Sequence, residues 1–214
     1  MKRALLLDLD GTITDPKLGI TNCIRHALME LGRDAPAADA LHWCIGPPLH
    51  DSLCQLVGRA DADRALALYR DRYGPVGMYE CTLYPGIAEM VATEAARGRK
   101  IYLATSKAHV FAKPILAHFD LARHFTTIHG AELDGTRSDK VELLRHLAVA
   151  EQIAEGGAIM VGDRSYDIRG ARAIGALAVW ADWGYGEPDE RDAAHPDHVV
   201  CSAAELQALL AVLD

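Results

Sequence analysis

Asp8 and Asp10 stand two residues apart at the end of the apolar run Ala4-Leu5-Leu6-Leu7, and Gly11 and Thr12 follow at once. Side chains alternate along a strand, so the two carboxylates project to the same side. At about 4 Å and an effective dielectric near 20, such a pair repels by roughly 4 kcal/mol. Stability alone does not favour that pairing. A cation does, and so does a reaction that uses both groups. A strand running into a polar turn would also carry Asp and Gly, so the rest of the chain must decide.

The run before Asp8 has the composition of a strand buried on both faces, as in a parallel sheet. Two other apolar runs also end in polar groups. Residues 101–104 lead into Thr105-Ser106-Lys107, and residues 158–161 lead into Gly162-Asp163, with Asp167 one helical turn further on. From Gly86 onward helical and strand patterns alternate. Helices are predicted over 87–97, 108–119, 138–150, 165–174 and 203–213, and strands over 101–105, 125–128, 158–161 and 177–180. Pro114 falls inside one of these helices, as a kink or the start of a new turn. This alternation predicts βαβ units, a parallel sheet and right-handed crossovers. In such sheets ligands bind beyond the carboxyl ends of the strands, where these polar groups gather.

Residues 16–83 read differently. Asp15-Pro16 resembles a helix start, with apolar residues at helical spacing from Ile20 through Leu31. Helices are also predicted over 37–43, 49–57 and 61–73, separated by Gly46-Pro47-Pro48 and Gly58. No convincing strand occurs among them. The fold class is therefore α/β: a Rossmann-like parallel-sheet core of residues 1–15 and 84–214, with an all-helical block, 16–83, inserted after the first strand.

Composition narrows the chemistry. A net charge of −8 argues against nucleic acid or an anionic membrane as partner, and an anionic substrate would need local positive help. The five cysteines are scattered without a Cys-x-x-Cys pair, which predicts reduced thiols and a cytoplasmic protein. Asp8 breaks the first apolar run too early for a signal peptide, and no run is long enough to span a membrane. His195 and His198, separated by Pro196, read as surface residues, as do Arg64 and Arg70.

Taken together, the chain resembles the haloacid dehalogenase-like hydrolase superfamily. Four motifs occur in that family's order: Asp8-x-Asp10-Gly11-Thr12, Thr105 at a strand end, Lys140 opening a helix, and Gly162-Asp163-x-x-x-Asp167. Ile45-Gly46-Pro47-Pro48-Leu49 and Trp183-Gly184-Tyr185-Gly186 are similar to the phosphoglycolate phosphatase-like and 5′-nucleotidase-like subgroup. The helical insertion sits where the family's mobile cap sits.

The resemblance implies a Mg²⁺-dependent phosphomonoester hydrolase acting on a small phosphorylated metabolite such as phosphoglycolate or a nucleoside monophosphate. Asp8 would be the nucleophile, and Asp10 the general acid and base. Mg²⁺ would be held by Asp8, Asp163 and the Asp10 main-chain carbonyl, an all-oxygen set that suits it. Asp167 would orient Lys140 or a metal-bound water from outside the ligand set. The Thr105 hydroxyl and the amides of Leu9, Asp10 and Ser106 would bind phosphoryl oxygens, on a loop completed by Gly11 and Thr12. Lys107 is either a further cation for the phosphate or a solvated side chain. Gly46 and Pro47 are either an interhelical turn or the cap loop over the substrate. Trp183 to Gly186 read as rim. Two rivals stay open: a phosphomutase of the same family acting on a sugar phosphate, and a phospho-acceptor signalling module on a doubly wound sheet. The sequence leaves monomer and dimer equally open.

Overall fold

β1 (Ala4–Leu7) is a central strand of the molecule's six-stranded sheet. In the computed structural model, which describes residues 2–213, the chain divides into two compact units. One comprises Met1–Thr14 with Leu83–Asp214, and the other Asp15–Thr82. The boundaries fall inside two short strands, β2 (Thr14–Asp15) and β3 (Thr82–Leu83).

The helical unit holds α1 (Lys17–Glu30), α2 (Leu49–Val57) and α3 (Arg59–Tyr73). α1 and α2 each pack on α3. Gly19 lies so close to the backbone of Gly77 that a Cβ would come within 2.0 Å of its carbonyl oxygen. The Arg72 guanidinium forks onto Glu80 at 2.8 and 2.9 Å. Residues predicted as a helix over 37–43 form a 3₁₀ turn instead, Ala38–Cys44, which buries only Leu41 and Cys44. That run is too short and too polar to present an apolar α-helical stripe. Gly46 and Pro47 follow in the half-buried link to α2, with Gly46 at φ +102°. Arg64 is exposed and Arg70 half-buried.

The other unit contains α4 (Ile87–Ala96), β4 (Ile101–Ala108), α5 (His109–His118), β5 (Thr127–Ala131) and α6 (Lys140–Ala150). It continues through β6 (Ala158–Gly162), α7 (Ser165–Ala173), β7 (Leu177–Ala181), α8 (Pro188–Ala194), β8 (His198–Val200) and α9 (Ala203–Val212). Six strands form one parallel sheet in the order β5-β4-β1-β6-β7-β8. The α/β class with a Rossmann-like parallel sheet is thus observed. Leu6, Tyr102, Met160 and Trp180 fill one face of the sheet together with Leu144, Leu147 and Ile168 from the helices above it. Leu5, Leu6, Leu7 and Leu9 are essentially inaccessible to water, each worth roughly 1.5–3 kcal/mol of burial. Removing any of them would loosen the strand that carries Asp8.

Several boundaries depart from expectation. β4 runs on to Ala108, past the predicted end at Thr105, with a register irregularity between those two residues. This carries Lys107 along the strand edge. β5 begins two residues later than predicted, because Phe125 and Thr126 lead into the ladder without joining it, although the Thr126 amide already bonds to Ile101 O. α5 passes straight through Pro114. α8 and β8 were not predicted: α8 is seven mostly charged residues and β8 only three. Neither is long enough to register as a period. His195 is exposed, but His198 is half-buried in β8.

Candidate active site

The sheet register decides which side chains meet. Leu7 is level with Leu103 on one side and Val161 on the other. The residues just beyond these three positions therefore emerge together at the carboxyl edge, at the crevice where chains on either side of β1 leave for different helices. From β1 come Asp8 and Asp10, from β4 Thr105 and Lys107, and from β6 Asp163. Asp167 and Lys140 arrive from the first turns of α7 and α6.

Lys140 is 3 % exposed and is the hub. Its Nζ forms ion pairs with Asp167 Oδ1 at 2.8 Å and Asp8 Oδ1 at 3.0 Å and donates to the Ala104 carbonyl at 2.8 Å. Burial works against its charge, but the Asp167 and Asp8 carboxylates outweigh burial and hold its pKa above the usual lysine value. Asp139 caps α6 by accepting from the amides of Val141 and Glu142, which fixes the turn that carries Lys140.

Asp8, Asp163 and Asp167 each place one carboxylate oxygen within 4.8 Å of the others. Their roles in the lattice of hydrogen bonds differ. Both Asp167 oxygens are engaged, Oδ1 by Lys140 and Oδ2 by the Arg164 amide at 3.1 Å. Asp8 Oδ1 accepts from Lys140 and from the Leu9 amide at 2.8 Å, which leaves Oδ2 as the oxygen without a bond among the described residues. Asp163 Oδ2 accepts from the Tyr185 amide at 2.8 Å, and Oδ1 receives only a long 3.4 Å contact from the Thr12 hydroxyl. Burial, then the Asp167 and Asp8 charges, push the Asp163 pKa well above the carboxylate range. Burial also lifts Asp167 to about 6, against the pull of Lys140.

Asp10 sits apart from this trio. Its Oδ2 meets Lys107 Nζ at 2.5 Å, while its Oδ1 is buried with no hydrogen-bond partner. Burial raises its pKa and Lys107 opposes that rise. Thr105 is 2 % exposed, and its hydroxyl oxygen accepts from the Lys107 amide at 3.2 Å. Ser106 is half-buried beside it. Gly11, at φ +83°, has its Cα against the Asp163 carboxylate, and a Cβ there would lie 2.1 Å from Oδ2. No side chain other than hydrogen permits both that backbone angle and that approach.

Two residues expected to bind the phosphate have partners within the site. The Leu9 amide donates to Asp8 Oδ1 at 2.8 Å. The Thr12 hydroxyl lies 3.4 Å from Asp163 Oδ1. Two contacts escaped the sequence reading altogether: the Lys107–Asp10 ion pair and the hold of the 183–186 loop on Asp163. The two glycines at 184 and 186 were the available signal for the second, since they mark a backbone passing very close to something. Gly46 and Pro47 lie in the helical unit, in the link before α2.

The site has the donor set of a hard divalent cation. Three buried carboxylates converge where, among the described residues, Lys140 is the cation paired with two of them, and an incoming phosphate would add further negative charge. Oxygen-only donors on a crowded anionic site suit Mg²⁺.

Residues 5–181 match the family model described as haloacid dehalogenase-like hydrolase. The chain is 42% identical over 208 residues to a 5′-nucleotidase of Pseudomonas aeruginosa, covering 96% of this chain and 94% of that one. It is 38% identical over 205 residues to the tyrosine-protein kinase PtkA of Mycobacterium tuberculosis, covering 96% of this chain and 70% of the relative. A predicted phosphatase from Clostridium acetobutylicum superposes with a TM-score of 0.93 at 32% identity, over 99% of this chain and all of that one. The chain belongs to the haloacid dehalogenase-like hydrolase family. It is an enzyme, a phosphatase acting on phosphate monoesters.

Proposed function

We propose that the enzyme hydrolyses a small phosphate monoester, a nucleoside 5′-monophosphate in the first place, through a phosphorylated Asp8. The observation that carries this reading is Lys140 bridging Asp8 and Asp167 while one Asp8 oxygen stays unbonded. Lys140 holds the Asp8 carboxylate in a fixed orientation, so that Oδ2 attacks phosphorus as the ester oxygen departs. Asp10, with its pKa raised by burial, gives its proton to the departing alcohol. It then takes a proton from the water that attacks the acyl phosphate, which releases phosphate and restores Asp8. Lys107 keeps the Asp10 side chain on station. The Thr105 hydroxyl and nearby main-chain amides supply donors to the phosphoryl oxygens.

Asp8, Asp163 and the Asp10 main-chain carbonyl would hold Mg²⁺. When bound, the ion neutralises the converging carboxylates and stabilises charge on the transferring phosphoryl group. Asp167 stands outside that set, since both of its oxygens are already engaged.

The choice of nucleotide rests on the 5′-nucleotidase relative, which matches over nearly the full length of both chains. Phosphoglycolate is the alternative, from relatives at 27% identity. A phosphate-release screen over nucleoside monophosphates, phosphoglycolate and sugar phosphates, with and without Mg²⁺, tests both points. The highest kcat/KM is expected with a nucleoside monophosphate, and EDTA should abolish turnover until Mg²⁺ is restored. Full turnover in metal-free buffer would refute the metal assignment, and a clear preference for phosphoglycolate would refute the substrate. The likeness to PtkA favours a second reading, in which an acceptor hydroxyl intercepts the same phosphoryl group in place of water. Labelled phosphate appearing on tyrosine would establish it.

A further inference from the structure

We propose that Trp183 is a positioning residue for the metal site: it anchors the 183–186 loop so that Asp163 is held in ligand geometry. The inference rests on the reading of Asp163 as a Mg²⁺ ligand.

Asp163 is gripped from several sides chiefly by backbone, with the long 3.4 Å contact of the Thr12 hydroxyl added at Oδ1. Gly184 stands so close that a Cβ would fall 2.3 Å from Asp163 Cβ and 2.5 Å from the Gly11 carbonyl oxygen. A Cβ on Gly186 would fall 2.1 Å from the Asp163 carbonyl oxygen. Gly11 closes the opposite side of the carboxylate. Between them the Tyr185 amide donates to Oδ2, so this one oxygen is oriented by the loop while Oδ1 is left nearly free.

A loop that grips by its backbone must itself be anchored, and Trp183 supplies the anchor. Its indole N–H donates to the Thr12 carbonyl at 3.1 Å, tying the loop to the turn that carries Gly11 and the Thr12 hydroxyl. Its ring also packs at a tilt against Tyr84, centroids 6.4 Å apart. Tyr84 in turn donates its amide to the Ile13 carbonyl. The indole thus joins the two backbone segments, 11–13 and 184–185, that face each other across Asp163. Such indirect support of a ligand typically changes metal affinity by about 10- to 100-fold.

The test uses Trp183→Phe, which keeps a ring against Tyr84 and removes only the N–H. Mg²⁺ titrated into the full-length protein by calorimetry reads affinity without reference to turnover. A second readout is the Mg²⁺ concentration for half-maximal hydrolysis of p-nitrophenyl phosphate, taken separately from kcat at saturating Mg²⁺. The expected result is roughly 10-fold weaker Mg²⁺ binding, the same rise in the half-activating concentration, and a smaller change in kcat at saturation. Mg²⁺ affinity equal to wild type in Trp183→Phe would overturn the inference. So would weakening fully matched by a lower melting temperature of the metal-free variant. Asp163→Asn is the control for the underlying assignment: if it binds Mg²⁺ as wild type does, the ligand reading fails. If only Trp183→Phe is silent, the positioning role alone fails.

Discussion

At the scale of single residues the argument turns on two aspartates of the same type with different surroundings. Asp8 is tied to Lys140, whereas Asp10 is tied to Lys107 and keeps one buried oxygen unpaired. Asp10→Asn therefore removes a proton donor and acceptor without disturbing Lys140. With p-nitrophenyl phosphate, whose leaving group needs little protonation, the variant should give a burst of p-nitrophenolate followed by turnover slowed roughly 10²–10⁴-fold. Mass spectrometry should find one phosphoryl group on the peptide containing Asp8. The same burst in Asp8→Asn would exclude Asp8 as the acceptor. The aspartates also set a pH dependence. Asp167 is lifted from 3.8 to about 6 and Asp163 is also raised well above its ordinary value, so their folded pKa values exceed the unfolded ones. Stability from this source is complete below about 4 and is lost as pH rises through the folded values. Metal-free protein should thus melt lower at pH 7 than at pH 5, and the increase in melting temperature on adding Mg²⁺ should be larger at pH 7. An increase larger at pH 5 would contradict this.

At the scale of elements, the catalytic strand ends were legible and the supports behind them were not. β1, β4 and β6 announced themselves because an apolar run stopping at a polar group is a strong local signal. The hold of the 183–186 loop on Asp163 joins segments far apart in sequence and is written only as glycines. β4 outran its prediction because Thr105-Ser106-Lys107 is polar, yet its backbone still pairs toward Ala131. A second support went unread for the same reason. Glu94 of α4 and Arg99, which lies between α4 and β4, form a fully buried ion pair at 2.6 Å. Arg99 also donates to the carbonyls of Arg3, just before β1, and of Leu210 in α9. The pair therefore pins three elements at the end of the sheet away from the site. Glu94→Gln should cost about 3–5 kcal/mol, the usual penalty for stranding a buried charge. Urea unfolding would measure it, with kcat unaffected at temperatures where the variant stays folded. A loss below 1 kcal/mol would show the pair to be dispensable.

At the scale of the whole molecule, the division of labour follows from where the chemistry lies. Every reacting group named above belongs to the unit of Met1–Thr14 and Leu83–Asp214, which also has its own complete sheet and buried core. In the proposed reaction these groups act on the phosphoryl group, and none of them is assigned to distinguish one leaving alcohol from another. We therefore assign that discrimination to the helical unit, Asp15–Thr82, where Gly46 and Pro47 mark the candidate loop. The chain leaves and re-enters the core side by side, since the Tyr84 amide donates to the Ile13 carbonyl at 3.1 Å. A short Gly-Ser linker from Thr14 to Leu83 can therefore replace the whole insertion with little strain. Loop-closure cost changes only slowly with length, so the excision does not by itself threaten the fold. The excised protein should unfold in a single cooperative transition and still phosphorylate Asp8 from p-nitrophenyl phosphate, whose leaving group is intrinsically reactive. Its kcat/KM for a nucleoside monophosphate should fall far more than that for p-nitrophenyl phosphate, and its preference among natural esters should flatten. Replacing the helical unit with that of a relative of different preference should restore selectivity of the donor's kind. A core that folds and keeps the full preference for a nucleoside monophosphate would place specificity in the catalytic unit itself.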